Sequence, residues 1–350
     1  MAWGVEVSLI QGLDPQFTPS MVLTSLADVF GSKMASSLYG VLFAVGLCAP
    51  IYCVSPVNAP SGYPHPSSTK GTPASLAYSL NTDFAFRLYR RLVLETPSQN
   101  VFFSPMSINC HVKKKTQGKV VDIIQGLDLL TAMVLVNHIF FKAKWDKPFY
   151  PAYTRKNFPF LVGKQVTVRV PMMHQKEQFA FGMDTELNCF VLQMDYKGDA
   201  VAFFVLPRKG KMRQLEQALS AGTLRKWSHS LQKRWIEVFI PKFSISASYK
   251  LETILPKMGI QNAFDENADF SGITKRDSLQ LSKATHKAVL DVSEEGTEAA
   301  AATTTKFIVR SKDGPSYFTV SFNRTFLIMI TNKATDSILF LGKVENPTKS

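Results

Sequence analysis

A stretch of small residues between Gly296 and Thr305 limits the structures that this part of the chain can adopt. From Thr297 to Val309, every second residue is uncharged, and the first five of these are small. Because a strand sends alternate residues to opposite faces, the stretch can enter a covered sheet without burying a charge. It can also stay exposed, which makes it a bistable element. An alanine-rich helix starting at Ser293 is the alternative that the residues leave open.

Length and composition indicate a globular protein with a basic surface. Of the 350 residues, 45% are hydrophobic and 19% are charged, which suits a domain with a buried core and excludes a mainly disordered or collagen-like chain. The formal net charge is +13. Such a surface attracts acidic partners, so a heparin-like polyanion is an expected partner. Aromatic residues are not interleaved with the basic clusters, and no specific nucleic-acid binding is expected.

Three segments precede the globular part, which we place at residues 79–350. Residues 1–33 are an atypical N-terminal extension. Residues 34–55 contain a ten-residue apolar run that fits a secretory signal but is shorter than the ~20 residues of a membrane span. Residues 56–78 form a linker rich in Pro and Ser. We expect secretion to the extracellular space; if the extension blocks the signal, the chain is cytoplasmic or retained. A short buried strand or helix is the alternative for the apolar run.

The sequence lacks the motifs of the common enzyme classes. The six histidines are scattered, and none has the HExxH spacing of zinc hydrolases. A GxSxG nucleophile elbow, a GxxxxGK[ST] phosphate loop and a GxGxxG dinucleotide motif are absent as well. We therefore expect no enzymatic activity, no catalytic residue, no metal and no cofactor. Cys110 and Cys189 are either paired or free, which their spacing does not decide.

Mixed hydrophobic patterns predict an α+β fold. A helix is predicted to begin at Asn81-Thr82, where a polar side chain can cap it, and to end before Pro97. The nearly unbroken apolar run 132–141 is typical of a central strand that is covered on both faces. Shorter strand-like runs follow it without a regular alternation with helices, which favours α+β over α/β.

Several ordered motifs resemble those of the serpins, the serine protease inhibitor family, and in particular its antitrypsin-like clade. The matching segments are 103–108, 135–145, 268–273, 294–303, 320–330 and 338–347. The resemblance covers about residues 80–350. It implies the serpin fold, in which a large central mixed sheet, smaller sheets and helices carry an exposed reactive-centre loop, here at about 294–316.

The resemblance also implies a suicide-substrate mechanism. The loop is offered to a serine protease, cleavage gives an acyl-enzyme, and the loop then inserts into the central sheet and drags the protease with it. Counting along the family's loop from Glu294 places the scissile bond at Arg310–Ser311. Arg suits a trypsin-like protease, whose specificity pocket holds a carboxylate. The implied hinge residues are Glu294, Glu295, Gly296, Thr297, Glu298, Ala299, Ala300, Ala301, Ala302 and Thr303.

Two further sites are implied within the sheet. The family's shutter, a polar cluster beneath the point where the sheet opens, matches Ser104, Ser107, Asn137 and His286, and the breach, where insertion begins, matches Trp145. Because buried polar groups must pair with one another, the shutter is expected to control opening. Singly, these residues would be ordinary polar residues of a core.

One N-x-[ST] sequon with a permitted middle residue is present, at Asn323-Arg324-Thr325. In a secreted protein it is a candidate glycosylation site, and a buried strand position is the alternative for Asn323.

The sequence departs from the family after about residue 108. A serpin continues there with helices and the first two strands of its main sheet, whereas this chain continues with a piece that resembles a much later helix. The expected loss of roughly a hundred residues far exceeds ordinary loop variation and indicates alternative splicing. The strand at 132–142 is then expected to be an exposed edge, which adds a risk of aggregation to an otherwise monomeric protein. A non-inhibitory protease substrate, or a binder of polyanions or small molecules, is the alternative function.

Overall fold

A computed structural model describes residues 2–11, 73–109, 133–163, 165–265, 268, 281–296 and 317–349. These residues form strands and helices in mixed order. The strands are β1 (Ala2–Gln11), β2 (Val101–Phe103), β3 (Met133–Lys142), β4 (Arg155–Val162), β5 (Val166–Asp184), β6 (Cys189–Asp195), β7 (Ala200–Pro207), β8 (Gln232–Pro241), β9 (Phe243–Lys250), β10 (Lys283–Val292), β11 (Phe318–Ser321), β12 (Phe326–Asn332) and β13 (Ile338–Val344). The helices are α1 (Pro73–Glu95), α2 (Pro105–Asn109), α3 (Met212–Ala218), α4 (Ala221–Ser230) and α5 (Leu251–Ile254).

The strands form two sheets. Sheet I has the order β1-β3-β10-β9, and sheet II has the order β11-β8-β5-β6-β7-β12-β13-β2, with β4 paired to β5. In sheet I, β10 runs parallel to β3 and antiparallel to β9, so the sheet is mixed. The predicted α+β class is confirmed. Sheet I is nevertheless the smaller sheet in the described part of the chain, although it is the one that carries the hinge.

The core lies on both sides of the central strands of sheet II. All eight residues of β7 are buried, as expected for a strand covered on both faces. One of its faces contacts α1 and α4, where Tyr89 and Trp227 are buried, and the other faces sheet I. The predicted central strand β3 is less fully covered, because Phe140 is 37% exposed between the buried Ile139 and Phe141.

Helix α1 begins at Pro73, eight residues before the predicted start at Asn81, and the last six residues of the predicted linker are therefore helical. Pro is well suited to the first turn of a helix, where its missing N–H has no partner in any case. Thr82 lies inside the helix and is buried rather than capping it. The predicted end before Pro97 is confirmed, since the last helical residue is Glu95.

The expectation that β3 is an exposed edge is wrong. Strand β1, which belongs to the N-terminal extension, pairs antiparallel with β3 from Ala2↔Lys142 to Gln11↔Met133. Strand β3 therefore has a neighbour on each side, and β1 is the last strand of sheet I. The backbone groups along one side of β3, which the resemblance left without a partner, form a ladder with this strand.

Candidate functional site

The predicted hinge lies at the end of sheet I where β10 finishes. After Val292 the chain continues through Glu294 and Glu295 to Gly296, and it passes alongside the residues that follow β3. The backbone N–H of Trp145 donates to the carbonyl oxygen of Glu295 at 2.8 Å, and Lys144 forms an isolated antiparallel bridge with Gly296. The first hinge residues are therefore already paired to the chain that leaves β3.

Gly296 occupies a position that excludes any side chain. Its φ is +132°, and a Cβ placed there would lie 2.2 Å from the carbonyl oxygen of Ala143 and 2.8 Å from the backbone nitrogen of Trp145. Both are backbone atoms, which cannot rotate out of the way. The glycine of the hinge motif is therefore required by the close approach of two chain segments.

Trp145, the predicted breach residue, is buried directly beside this hinge. Its indole N–H donates to the carbonyl oxygen of Ser293 at 3.0 Å, and its ring stacks on Tyr196 with the centroids 4.1 Å apart. It is 1% exposed. Stacking fixes the plane of the indole, and the hydrogen bond ties that plane to the residue that precedes the hinge.

Glu294 is the charged anchor of the hinge. Its carboxylate accepts hydrogen bonds from the Thr154 hydroxyl at 2.9 Å and from the Lys242 ammonium at 2.9 Å, and its backbone carbonyl accepts from Phe149 N–H at 2.8 Å. Burial acts to raise the pKa of this carboxyl, but the hydrogen bonds, foremost the one from Lys242, hold the pKa below its ordinary value. Glu294 is therefore ionised and tied to the protein body at neutral pH.

Three of the four predicted shutter residues meet beneath the seam between β3 and β10. Asn137 of β3 and His286 of β10 are register partners, and the His286 Nε2 accepts from the backbone N–H of Ser104 at 3.1 Å. All three are buried. Because Nε2 accepts this bond, the imidazole is neutral with its proton on Nδ1. Ser107 lies in α2, and its side chain is outside the described residues.

The seam itself is closed. Strands β3 and β10 pair directly along eight register positions, from Lys283↔Val134 to Leu290↔Phe141. Among the described residues, no strand separates β3 from β10. The hinge sits at one end of the seam, and the shutter residues lie along it.

Of the remaining predicted site residues, only Asn323 lies within the described ranges. The hinge from Thr297 to Thr303 and the bait bond Arg310–Ser311 lie outside the described residues. Asn323 is half-buried between β11 and β12, and its backbone carbonyl accepts from Leu161 N–H at 2.8 Å. The alternative to glycosylation assumed a buried strand position. Asn323 instead lies outside the strands and is only half-buried.

Sequence reasoning missed the partners that hold these residues in place. Lys242 and Thr154 bind Glu294 across 52 and 140 positions of sequence, and Tyr196 supports Trp145. Tyr249 lies parallel to the His286 ring with 6.5 Å between centroids, and its hydroxyl accepts from Phe102 N–H. The one signal in the sequence was Glu294 itself. If a glutamate of the hinge is buried, its carboxylate needs a cationic partner elsewhere in the fold.

In the ranges that the structure describes, no group of three or more His, Cys, Asp or Glu side chains is arranged to hold a metal ion. None of the helices in those ranges is long and apolar enough to cross a bilayer. Cys189 is a free, buried thiol, and its burial raises its pKa to about 12.

The structure thus combines a seam of two parallel strands, β3 and β10, with the hinge residues Glu294–Gly296 at its end. Comparison with known protein families gives the same class: residues 106–347 match the profile described as "Serpin (serine protease inhibitor)". The chain therefore belongs to the serpin family.

Individual relatives support this class. The chain is similar to Serpin A9 (centerin) of Homo sapiens, with 70% identity over an alignment of 417 positions, which covers 91% of this chain and 100% of the relative. Serpin A9 of Mus musculus is 51% identical over 418 residues, covering 90% and 99%. Because 91% of 350 residues is about 319, roughly a hundred positions of the human relative have no counterpart here.

Solved structures show the same fold. A crystal structure of human thyroxine-binding globulin complexed with thyroxine matches with a TM-score of 0.70 and 38% identity, covering 78% of this chain and 99% of that one. Human glycosylated kallistatin matches with a TM-score of 0.70 and 35% identity, covering 80% and 100%. The predicted serpin fold is thus confirmed.

Proposed function

We propose that this chain is a serine protease inhibitor of the suicide-substrate type, directed at trypsin-like, Arg-specific proteases through the bond Arg310–Ser311. Family membership supports the class of inhibitor. The observation that carries the mechanism is the closed seam between β3 and β10 with Glu294–Gly296 held at its end. A chain that turns back from β10 at this point runs antiparallel to both strands, so it can form a ladder with each.

The chemistry begins at the loop. The protease serine attacks the carbonyl carbon of Arg310, the bond to the Ser311 nitrogen breaks, and Arg310 is left esterified to the protease. Release of Ser311 frees residues 297–310 to enter the seam, and their alternate residues, all uncharged and the first five small, suit a covered strand. Insertion breaks one ladder, between β3 and β10, and forms two, which favours the inserted state.

The hinge contacts set the barrier to insertion. The Trp145–Glu295 backbone bond and the Glu294 carboxylate contacts hold the start of the loop at the mouth of the seam. They have to rearrange when the seam opens, because the inserted segment would begin at these residues. The shutter contact between His286 and the Ser104 N–H lies farther along the seam, so the inserting segment would reach it later.

A gel experiment tests the inhibitory function. The full-length chain is incubated with trypsin and run on a denaturing gel, and we expect a covalent complex together with release of the 40 residues that follow Arg310. Arg310→Ala is the matched control and should form no complex with trypsin. Cleavage after Arg310 without a complex would contradict inhibition and leave the chain as a protease substrate.

A non-inhibitory binder is the second candidate function. Sheet I is completed by β1 from the N-terminal extension instead of the two further strands expected from the family, and this changes the sheet that has to open. The net charge of +13 favours a heparin-like polyanion as ligand. Retention on a heparin column that weakens steeply as salt rises would support this candidate, and retention independent of salt would contradict it.

Secretion is also part of the proposal, on the strength of the signal-like segment 34–55. Expression in mammalian cells followed by mass spectrometry of the medium tests it. A secreted chain that begins near residue 55, and therefore lacks β1 (Ala2–Gln11), is expected, and a chain retained in the cell with Met1 intact would contradict secretion. The same sample shows whether Asn323 carries a glycan.

A further inference from the structure

Strands β5, β8 and β11 place ring and charged side chains side by side on one face of sheet II. The register sets this arrangement, because Lys176 of β5 pairs with Glu237 of β8, and Glu237 pairs with Thr319 of β11. Alternate residues of a strand share a face, so Trp235, two positions before Glu237, lies on the same side. Trp235 is 40% exposed there, although tryptophan is highly buried on average. We call this surface the Trp235 face.

Contacts within the Trp235 face hold its side chains in place. The Glu237 carboxylate accepts a hydrogen bond from the Thr319 hydroxyl at 3.0 Å and pairs with the Lys176 ammonium at 3.3 Å. The same ammonium lies 5.0 Å from the centre of the Tyr317 ring, and this ring meets Trp235 edge to face with the centroids 5.9 Å apart. Side chains that are already ordered lose little conformational entropy on binding, and Trp and Tyr are enriched in protein interfaces. The face is therefore suited to contact with another protein.

The bait bond is close to this face along the chain. Arg310 and Tyr317 are seven residues apart. At ~3.3–3.6 Å per residue, their Cα atoms can be no more than about 25 Å apart. A protease domain of ~200 residues has a radius of gyration of about 16 Å and therefore a diameter of about 40 Å. A protease that holds Arg310 in its active site is thus large enough to cover the Trp235 face as well.

We propose that the Trp235 face is a second contact surface for the protease that cleaves Arg310–Ser311. The Trp235 and Tyr317 rings provide apolar contact, and the Lys176 ammonium, on a side chain that is 44% exposed, can donate to a carboxylate or carbonyl oxygen of the protease. The inference rests on the proposed function, because the occupant is the protease that the bait loop attracts.

This surface adds specificity that the bait residue cannot supply alone. Every trypsin-like protease accepts Arg in its specificity pocket, so Arg310 does not distinguish one such protease from another. The contact forms before the bond is cut, and it is lost when the loop inserts and carries the protease away. The Trp235 face therefore sets the rate of cleavage, and it does not set the share of cleaved chain that ends in a covalent complex.

Footprinting with an inactive protease tests the contact itself. The full-length chain is mixed with trypsin whose catalytic serine is replaced by alanine, treated with hydroxyl radicals and digested for mass spectrometry. Oxidation of Trp235 should fall at least about threefold on binding, because interface residues of this kind are desolvated. Phe318 is the internal control, since it is 48% exposed but packs on Phe181 and Phe190 on the other face of β11. Protection of Phe318 equal to that of Trp235, or no protection of Trp235, would overturn the proposal.

Cleavage rates then test the effect of the contact. The second-order rate constant for cleavage by active trypsin is read from the 40-residue C-terminal fragment on a denaturing gel. We expect Trp235→Ala to lower this constant about tenfold and Lys176→Ala about threefold, with an unchanged share of covalent complex. The control is Met183→Ala, which truncates a 48% exposed apolar side chain at the far end of β5 and should leave the constant within about twofold.

The outcomes separate this inference from the proposed function. Cleavage without a covalent complex refutes inhibition, while the rates of the variants still test the Trp235 face. A covalent complex that forms at the same rate in the unchanged chain, Trp235→Ala and Lys176→Ala would overturn the face and leave inhibition standing. A smaller share of complex at an unchanged rate would mean that the substitutions disturb the sheet and not a protease contact, and this would overturn the proposal as well.

Discussion

Replacing Glu294 by Gln is the sharpest test of how the hinge is held. Glutamine has nearly the shape of glutamate and can still accept the hydrogen bond from Thr154 through its carbonyl oxygen. It carries no charge, so the ionic hydrogen bond from the Lys242 ammonium at 2.9 Å is lost. The substitution therefore removes the ion pair at the breach with little change in side-chain shape, and the glutamine NH2 group, which only donates, then faces the Lys242 ammonium.

The magnitude follows from the burial of the two partners. Hydrogen bonds to charged groups contribute about 1.5–3 kcal/mol, whereas exposed ion pairs contribute about 0.2–1 kcal/mol. The Glu294 side chain is 11% exposed and that of Lys242 is 48% exposed, so this pair lies between the two cases. We expect Glu294→Gln to lower the free energy of unfolding by about 1–2 kcal/mol. Glu294→Lys, which places two ammonium groups together beside the hinge, should cost about 3 kcal/mol or more.

Urea unfolding followed by far-ultraviolet circular dichroism measures this change, together with the fraction of chain that forms a covalent complex with trypsin. The matched control is Glu186→Gln, because Glu186 pairs with Lys226 at 2.6 Å while its side chain is 78% exposed. We expect a loss of less than about 1 kcal/mol there. The double variant Glu294→Gln with Lys242→Met should then lose no more than the two single variants combined. Equal, small losses at Glu294 and Glu186 would refute a charged anchor at the hinge.

Three further predictions concern the same region. The difference in unfolding free energy between the unchanged chain and Glu294→Gln should be constant above the ordinary glutamate pKa, about 4.3. It should disappear as pH falls through the lowered pKa of Glu294. Urea titrations from pH 3 to 8 measure this difference, and a value that stays constant over the whole range would contradict the prediction. Gly296→Ala should destabilise the chain by at least about 2 kcal/mol in the same assay, because its Cβ would meet the Ala143 carbonyl oxygen at 2.2 Å, and a neutral result would show that the hinge can shift. Tyr196→Phe should be neutral or stabilising by up to about 1 kcal/mol, since the buried Tyr196 hydroxyl has no hydrogen-bond partner among the described residues, and a clear loss would indicate that the hydroxyl is satisfied.

The local sequence pattern was sufficient to predict those elements that are marked by an apolar run or by a motif within their own residues. The apolar run at 132–141 predicted β3, and the motif around Glu294–Gly296 led to the hinge through its resemblance to the serpins. The start of α1 was misplaced, because a capping residue such as Asn81 is only a preference, and the helix begins instead at Pro73, a residue suited to the first turn. The rest of the loop beyond Gly296 lies outside the described residues.

Contacts between residues far apart in the chain could not be predicted from the local sequence pattern. Strand β1 alternates as a strand should, yet nothing local indicates that its partner is β3, more than a hundred positions away. The exposed edge expected at β3 was wrong for this reason. The contact of Lys242 with Glu294 was missed for the same reason, because a cation's partner depends on the fold and not on its sequence neighbours.

The parallel seam between β3 and β10 also has a consequence for the order in which the chain is made. Asn137 and His286 face each other but are about 150 residues apart, so at ~5–20 residues per second β3 leaves the ribosome roughly 8–30 s before β10 exists. Strand β1 has been synthesised before either of them. As long as the N-terminal extension stays attached, the antiparallel neighbour of β3 is therefore available first and its parallel neighbour last.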